Sequence, residues 1–278
     1  MVSVEELLRR DAPLICAERG LWCDGAGPPE NSLGSLVAAL DAGCEMASFM
    51  IRQSREGDLV AFRDPGLQRM TAARGRVSGM ATASLTRLPL RAGAGGETGL
   101  TSSYLPLLTE LLAAAADRLG LVLDIAGEAA LDPACRLIAR SGLAPQVAVR
   151  ARPSRPSDIA DLAGRIRAHG VTPVLSLAPR AADLPDWLAA LAGAGPLLVE
   201  LRGATPEGVA ALTGQCRRGD MALLASTAPL AEGGAFGDAA AETDPDAVWG
   251  ALIEAGARGI VTQRAAAGLR WRAGKAAA

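Results

Sequence analysis

Apolar runs of four to six residues recur along this chain, each followed by a stretch with the three- and four-residue periodicity of an amphipathic helix. The runs fall at Leu14–Arg19, Met46–Ile51, Leu121–Ile125, Val147–Arg150, Pro173–Leu177, Leu197–Leu201, Met221–Ala225 and Gly259–Thr262. Being apolar on both faces, they predict parallel strands covered by helices rather than half-exposed antiparallel ones. Helix punctuation lies between them. Ser3-Val4-Glu5-Glu6 is a capping box. Asn31-Ser32 precedes the stripe Leu33, Leu36, Val37, Leu40, which Gly43 ends. Asp132-Pro133, Thr205-Pro206 and Asp244-Pro245 predict helix starts, closed by left-handed glycines at Gly142, Gly219 and Gly256. Further helices are predicted over Thr109–Leu119, Ser157–His169 and Pro185–Ala194.

Eight strand–helix units in 278 residues spell a single-domain α/β fold, a (β/α)8 TIM barrel, with a doubly wound open sheet as the alternative. One segment breaks the rhythm. Leu59–Asp64 reads as a strand, yet only Arg52 to Asp58 separate it from its predecessor, too few for a parallel return. An antiparallel hairpin turning near Glu56-Gly57-Asp58 is therefore predicted. The aperiodic stretch Pro65 to Pro106 follows, so hairpin and excursion over the barrel mouth together take up about residues 46–106.

Composition narrows the chemistry. Half of the residues are apolar and 21% charged, enough for a large core. Lys+Arg number 28 against 30 Asp+Glu, and aromatics are 3%, so neither a basic footprint nor a stacking platform for nucleic acid is present. No apolar run approaches the ~20 residues of a membrane span, and the charged start does not read as a signal peptide; a cytoplasmic protein is expected. The single histidine, His169, precedes Gly170 at a predicted helix end and is expected to be structural. Cys16, Cys23, Cys44, Cys135 and Cys216 form no CxxC pair and are expected to be buried free thiols.

The order of motifs resembles the glycerophosphodiester phosphodiesterase family. Glu18-Arg19-Gly20 stands where the family has His-Arg-Gly, and Pro29-Glu30-Asn31 matches its Pro-Glu-Asn. Gly43 to Ile51, Arg55-Glu56-Gly57 and Val60 to Asp64 follow its second strand, turn and His-Asp strand, and Leu67 to Thr71 its Leu-Asp-Arg-Thr-Thr. Pro106 to Glu110, Leu123-Asp124-Ile125-Ala126 and Gly256 to Arg264 match later motifs, so the resemblance runs from about residue 14 to 265. It implies a barrel whose relatives hydrolyse phosphodiesters with two histidines and a Mg²⁺ or Ca²⁺ ion.

Carried over by position, the histidines fall on Glu18 and Arg63, and the metal carboxylates on Ser48, Met50 and Asp124. Asp124 alone keeps metal-ligand character. A methionine thioether is a poor ligand for a hard cation, and arginine does not act as a base. The expectation is therefore a degraded site without a metal cofactor: a pseudoenzyme binding a small anionic ligand or a protein partner. Glu18 and Arg63 are expected to bridge the former centre, or Arg63 to pair with another acid. Arg19, Glu30, Asn31 and Asp64 are candidate ligand-binding residues. The alternatives are a repurposed enzyme using Glu18, Glu30, Asp124 and Glu200 with Arg19 and Arg63, and a metal-dependent diesterase with an altered ligand set.

Overall fold

The computed structural model describes residues 2–22, 27–178, 181–193, 198–229 and 235–276; Cys23, Ala194 and Leu197 lie outside them. Eight parallel strands close the barrel: β1 (Leu14–Glu18), β2 (Met46–Gln53), β6 (Gly120–Ile125), β7 (Val147–Ala151), β8 (Thr172–Leu177), β9 (Leu198–Arg202), β10 (Ala222–Ser226) and β11 (Gly259–Thr262). Each pairs with the next in this order, and β1 pairs with both β2 and β11, which shuts the ring. The numbering gap holds β3 (Leu59–Ala61), antiparallel to β2 as the short connection demands, and the two-stranded sheet β4 (Pro89–Arg91) and β5 (Leu100–Tyr104).

Each strand gives one face to a central cluster: Leu14 and Cys16, Met46, Val122, Ala148, Val174, Leu198, Leu224 and Val261. A fully buried Leu or Val contributes about 1.5–3 kcal/mol relative to exposure. Helix α1 (Val4–Leu8) plugs the lower end of this interior with Val4 and Leu7. Ser3 caps it as expected: its Oγ accepts from Glu6 N at 3.1 Å, and Glu6 Oε2 accepts from Ser3 N at 3.2 Å. The opposite strand faces pack against an outer layer that includes α2 (Leu33–Asp41), α4 (Leu108–Ala115), α5 (Glu128–Arg140), α6 (Ile159–Arg167), α7 (Leu184–Ala192) and α8 (Pro206–Arg218).

Three local expectations fail for identifiable reasons. Asp132-Pro133 does not start a helix. Helix α5 begins at Glu128 and runs through Pro133, although proline has no N–H for the Ala129 carbonyl. The buried stripe Ala130, Leu131, Ala134, Cys135, Ile138 outweighs that loss, and Asp132 instead faces Arg165 and His169 of the neighbouring helix region. Helix α4 stops at Ala115 rather than Leu119. Asp117 turns left-handed (φ 60°), and the buried Gln146 amide spans the turn, accepting from Asp117 N and donating to the Ala115 and Leu119 carbonyls. Gly219 is not left-handed (φ −97°), because Asp220 takes that conformation (φ 51°) one residue later. Thr205 caps α8 as expected.

The excursion after β3 packs Leu67, Met70, Val77, Leu85, Leu90 and Leu105 into a small core together with Val60 of β3 and Phe62 just after it. It includes the short helix α3 (Thr82–Leu85) and sits against the barrel as a packed flap. Cys16, Cys44, Cys135 and Cys216 are free and buried, and burial holds their thiol pKa values above the ordinary one.

Candidate functional site

Side chains alternate along a strand, so the inward positions above the apolar cluster follow from it. They are Glu18, Ser48, Asp124, Arg150, Ser176, Glu200 and Ser226, a wholly polar layer at the C-terminal ends of the strands, where this fold builds its sites. Neighbouring strands bring these residues to one height. Glu18 is opposite Ser48, Asp124 opposite Arg150, and Ser176 opposite Glu200.

Arg150 is the hub of this layer. Its guanidinium is buried, with Nε 2.7 Å from Glu200 Oε2, Nη2 3.3 Å from Glu18 Oε2 and Nη1 3.6 Å from Asp124 Oδ2. Asp124 also holds a close ion pair with the partly exposed Arg152, and Glu18 accepts a short hydrogen bond from the Ser48 hydroxyl. Burial opposes ionisation of Glu18, but Arg150, Ser48 and Arg19 together outweigh it and hold its pKa below the ordinary value. Glu200 goes the other way. Its burial, with the like charges of Glu18 and Asp124, outweighs Arg150 and Arg152 and raises its pKa. Burial also disfavours the charged form of Arg150, yet Glu200, Glu18 and Asp124 reverse that and hold it firmly charged.

The expected Glu18–Arg63 bridge is absent. Arg63 lies just beyond β3, faces solvent, and has no ion pair among the described residues; Glu18 is turned to Arg150 instead. The like charge of Arg63 is felt at Arg19, which burial and Arg63 together bring down to about 10.

Arg19, Glu30 and Asp64 belong to a second network on the excursion side of the mouth. Glu30, 2% exposed, makes close ion pairs with Arg19 and Arg69. Arg69 Nε reaches Asp64 Oδ2 at 2.5 Å, and its Nη1 makes a close hydrogen bond to the Ala94 carbonyl. The Arg19 guanidinium stacks 4.6 Å over the Trp22 ring. Arg19 and Gly20 are both left-handed, and a Cβ on Gly20 would lie 2.7 Å from Ser35 Cβ, which explains glycine here. Asn31, also left-handed (φ 52°), accepts from Met50 N at 2.9 Å through Oδ1 and so ties the loop after β1 to β2. Three of the four residues expected to contact ligand are therefore engaged with the flap, and the fourth with β2.

A cavity of about 770 Å³ opens above Asp124 and Arg150, between the ends of β2, β6 and β7 and the first turns of α5 and α6. Arg52, Arg152 and Arg155 line it with them. Sequence reading assigned no role to Arg150, Arg152, Arg52 or Arg69. Arg202 stands beside this group on β9; burial, and Arg152 next, lower its pKa, and its Nε has no hydrogen-bond partner. Burial likewise lowers the pKa of Arg52.

These residues do not fit a divalent cation. The Ser48 hydroxyl is committed to Glu18, Met50 offers only sulfur, and Asp124 already faces two guanidinium groups. An added cation about 4 Å from one of those guanidiniums would be repelled by roughly 4 kcal/mol per unit charge at an effective dielectric near 20. Among the described residues no group of three or more His, Cys, Asp or Glu side chains is arranged to hold a metal ion. No described helix is long and apolar enough to cross a membrane.

Residues 22–128 match the model of the glycerophosphoryl diester phosphodiesterase family. Comparison with curated proteins returns no match. Among solved structures, a glycerophosphoryl diester phosphodiesterase from Parabacteroides distasonis is similar over 99% of this chain and 93% of its own, at 19% identity and a TM-score of 0.75. A putative one from Silicibacter pomeroyi is similar over 98% and 97%, at 19% identity and 0.71. A phosphodiesterase from Oleispira antarctica, in complex with its product sn-glycerol-3-phosphate, covers 95% and 97% at 17% identity and 0.67. At these identities the structural likeness establishes the (β/α)8 barrel, and over residues 22–128 the chain is similar to the glycerophosphoryl diester phosphodiesterase family.

Proposed function

We propose that this barrel binds a small anion bearing phosphate or carboxylate in its mouth and does not hydrolyse phosphodiesters. The observation that carries this reading is the Arg150 guanidinium seated among Glu18, Asp124 and Glu200. Diester hydrolysis needs an acid and a base that exchange protons near neutral pH. Glu18 is ion-paired with its pKa held below the ordinary value, and an arginine side chain is no acid–base catalyst near neutral pH. The acidic cluster that would grip a metal is neutralised by arginine, so nothing there is free to draw charge from a phosphoryl group.

Anion binding draws support from the arginines above that floor. Arg52 and Arg202 are charged groups that burial disfavours, and an anion between them and Arg152 relieves that penalty. The sn-glycerol-3-phosphate held by the Oleispira antarctica structure is a ligand of this chemical class. Acid–base chemistry by Glu18 and Glu200 has one observation in its favour, their opposed pKa shifts. Both carboxylates, however, are turned to Arg150, and neither lines the cavity.

The test is a pair of assays on the full chain. Thermal melting with sn-glycerol-3-phosphate, inorganic phosphate and citrate is expected to show a saturable rise, about 2.7 kcal/mol of stabilisation at a hundredfold excess over Kd. Incubation of bis(4-nitrophenyl) phosphate with Mg²⁺, Ca²⁺ or Mn²⁺ is expected to release no nitrophenol. Cation-dependent turnover would refute the non-hydrolytic reading, and melting indifferent to every anion would refute the binding one.

A further inference from the structure

Charge is not spread evenly along this chain. Residues 65–106, the flap beside the barrel mouth, hold five arginines (Arg69, Arg74, Arg76, Arg87 and Arg91) and one acid, Glu97, in a chain of net charge −2. Arg69 is committed to Glu30 and Asp64. Arg74, Arg76 and Arg87 are exposed and have no ion pair among the described residues. The exposed large apolar side chains lie close by. Among the described residues they are Leu100 and Tyr104 of β5 and Val37 of α2, and Tyr104 is the single tyrosine of the chain. We propose that the outward face of the β4–β5 sheet, with its flanking arginines, is a peripheral docking surface for a membrane that carries anionic lipid.

The strand register puts charge and apolar surface on one side. Tyr104 is directly opposite Pro89, and Leu100 opposite Arg91, so these four side chains share a face. Leu90, at the alternate position of β4, is buried in the flap core, which makes the shared face the outward one. The basic loop lies along β4, where Arg91 N donates to the Met70 carbonyl at 2.7 Å, and Arg87 stands just before the strand. Val37 is one turn along α2 from Gly34, where a Cβ would be 3.7 Å from Ser103 Oγ of β5. The acids of the neighbouring hairpin turn, Glu56 and Asp58, are engaged with Thr82. The charge balance selects an anionic partner, and two copies meeting flap to flap would set like charges against each other. A stable protein interface takes about 800 Å² from each partner with an apolar centre, more than this handful of side chains offers. A bilayer needs no shape complementarity. Its anionic head groups attract the arginines, and the tyrosine ring with its polar tip suits the head-group region. The inference does not depend on whether the mouth binds a small anion.

Flotation of the full chain with lipid vesicles tests it, with thermal melting reporting folding. Wild type is expected to float with phosphatidylcholine vesicles containing roughly 30% phosphatidylserine, not with pure phosphatidylcholine, and to be released by about 0.5 M salt. Leu100→Ser with Tyr104→Ser, and separately Arg74→Glu with Arg87→Glu, are each expected to lower the bound fraction at least about fivefold. All four side chains are exposed, so both variants are expected to melt close to wild type. Arg76 is left unchanged because its charge is felt at Arg52 in the mouth. Arg217→Glu with Arg218→Glu makes the same change of charge at the far end of α8 and is expected to float like wild type. Wild type that does not float with the acidic vesicles, or flap variants that float as well as the α8 variant, would overturn the proposal. Loss in only one of the two flap variants would overturn it too, loss in the arginine pair alone being the mark of an acidic protein partner. A dimer seen by light scattering and dissolved by Leu100→Ser with Tyr104→Ser would assign the face to a second copy of the chain instead.

Discussion

Arg150→Met is expected to cost about 3–5 kcal/mol of folding stability, the usual penalty for breaking a buried ion pair from one side. For a chain of this size that lowers the melting temperature by about 6–20 °C. Methionine fills much of the arginine's volume, so the loss reports charge rather than a cavity. The pH dependence separates this account from a packing defect. Glu18 owes its lowered pKa largely to Arg150, and a depressed carboxylate pKa stabilises the fold above the ordinary value of 4.5 and stops doing so as pH falls. Without Arg150, Glu18 and Glu200 lose their largest opposing charge, and burial pushes both carboxylate pKa values up. Their protonated forms are compatible with the fold at low pH, and stability drains away as pH rises through those values. The gap between wild type and Arg150→Met is therefore expected to be wide at pH 8 and to narrow toward pH 4.5. Adding Glu18→Gln and Glu200→Gln removes the stranded charges and is expected to recover much of the loss at neutral pH. A gap that does not change with pH would argue that Arg150 matters only for packing. Differential scanning calorimetry across this range reads both outcomes.

Glu30→Ala is expected to cost a similar amount, about 3–5 kcal/mol, through a different part of the molecule. The carboxylate is the joint between Arg19, which is rooted at the end of β1, and Arg69 of the flap, which also holds Asp64 and the Ala94 carbonyl. Losing it leaves Arg19 with its charge buried and without its ion-pair partner, with the Trp22 ring and the more distant Glu18 and Asp64 charges as partial compensation. Residues 65–106 pack in a small cluster separate from the main barrel core and joined to β3 through Val60 and Phe62, so they are expected to loosen from the barrel before it unfolds. Hydrogen exchange followed by mass spectrometry is expected to show faster exchange across that segment and unchanged exchange in β6 to β9. Arg69→Ala is expected to do less, because its side chain is partly exposed and its partners can turn to water. Unchanged exchange in the flap of Glu30→Ala would remove Glu30 from this role.

The barrel is legible in the sequence because each strand announces itself locally, by an apolar run bounded by helix caps and glycines. Even the β2–β3 hairpin follows from counting the residues between two runs. Arg150 shows where local reading stops. It ends the apolar run Val147–Arg150, and its place two residues after the inward-facing Ala148 puts it in the barrel interior. That signal becomes visible only once it is known which face of β7 points inward. Its partners are then set by ring closure, with Glu18 lying 132 positions away. Arg63 misled for a related reason. Matching a motif fixes a residue's place along the chain, not the direction of its side chain, and beyond the short β3 the chain turns Arg63 to solvent. Asp132-Pro133 misled because a strong local cap signal competes with an amphipathic stripe that starts earlier. The flap core was hidden for want of any period, since Leu67, Met70, Val77 and Leu90 come from turns and short pieces of chain.

The central claim is that a guanidinium does the work of an ion at the heart of this barrel. A crystal grown with manganese chloride and measured at the metal's absorption edge tests it most directly. The expected map shows the Arg150 head group between Glu18, Asp124 and Glu200, with no anomalous peak in the polar layer. An anomalous peak bonded to Asp124, with Arg150 swung aside, would contradict it.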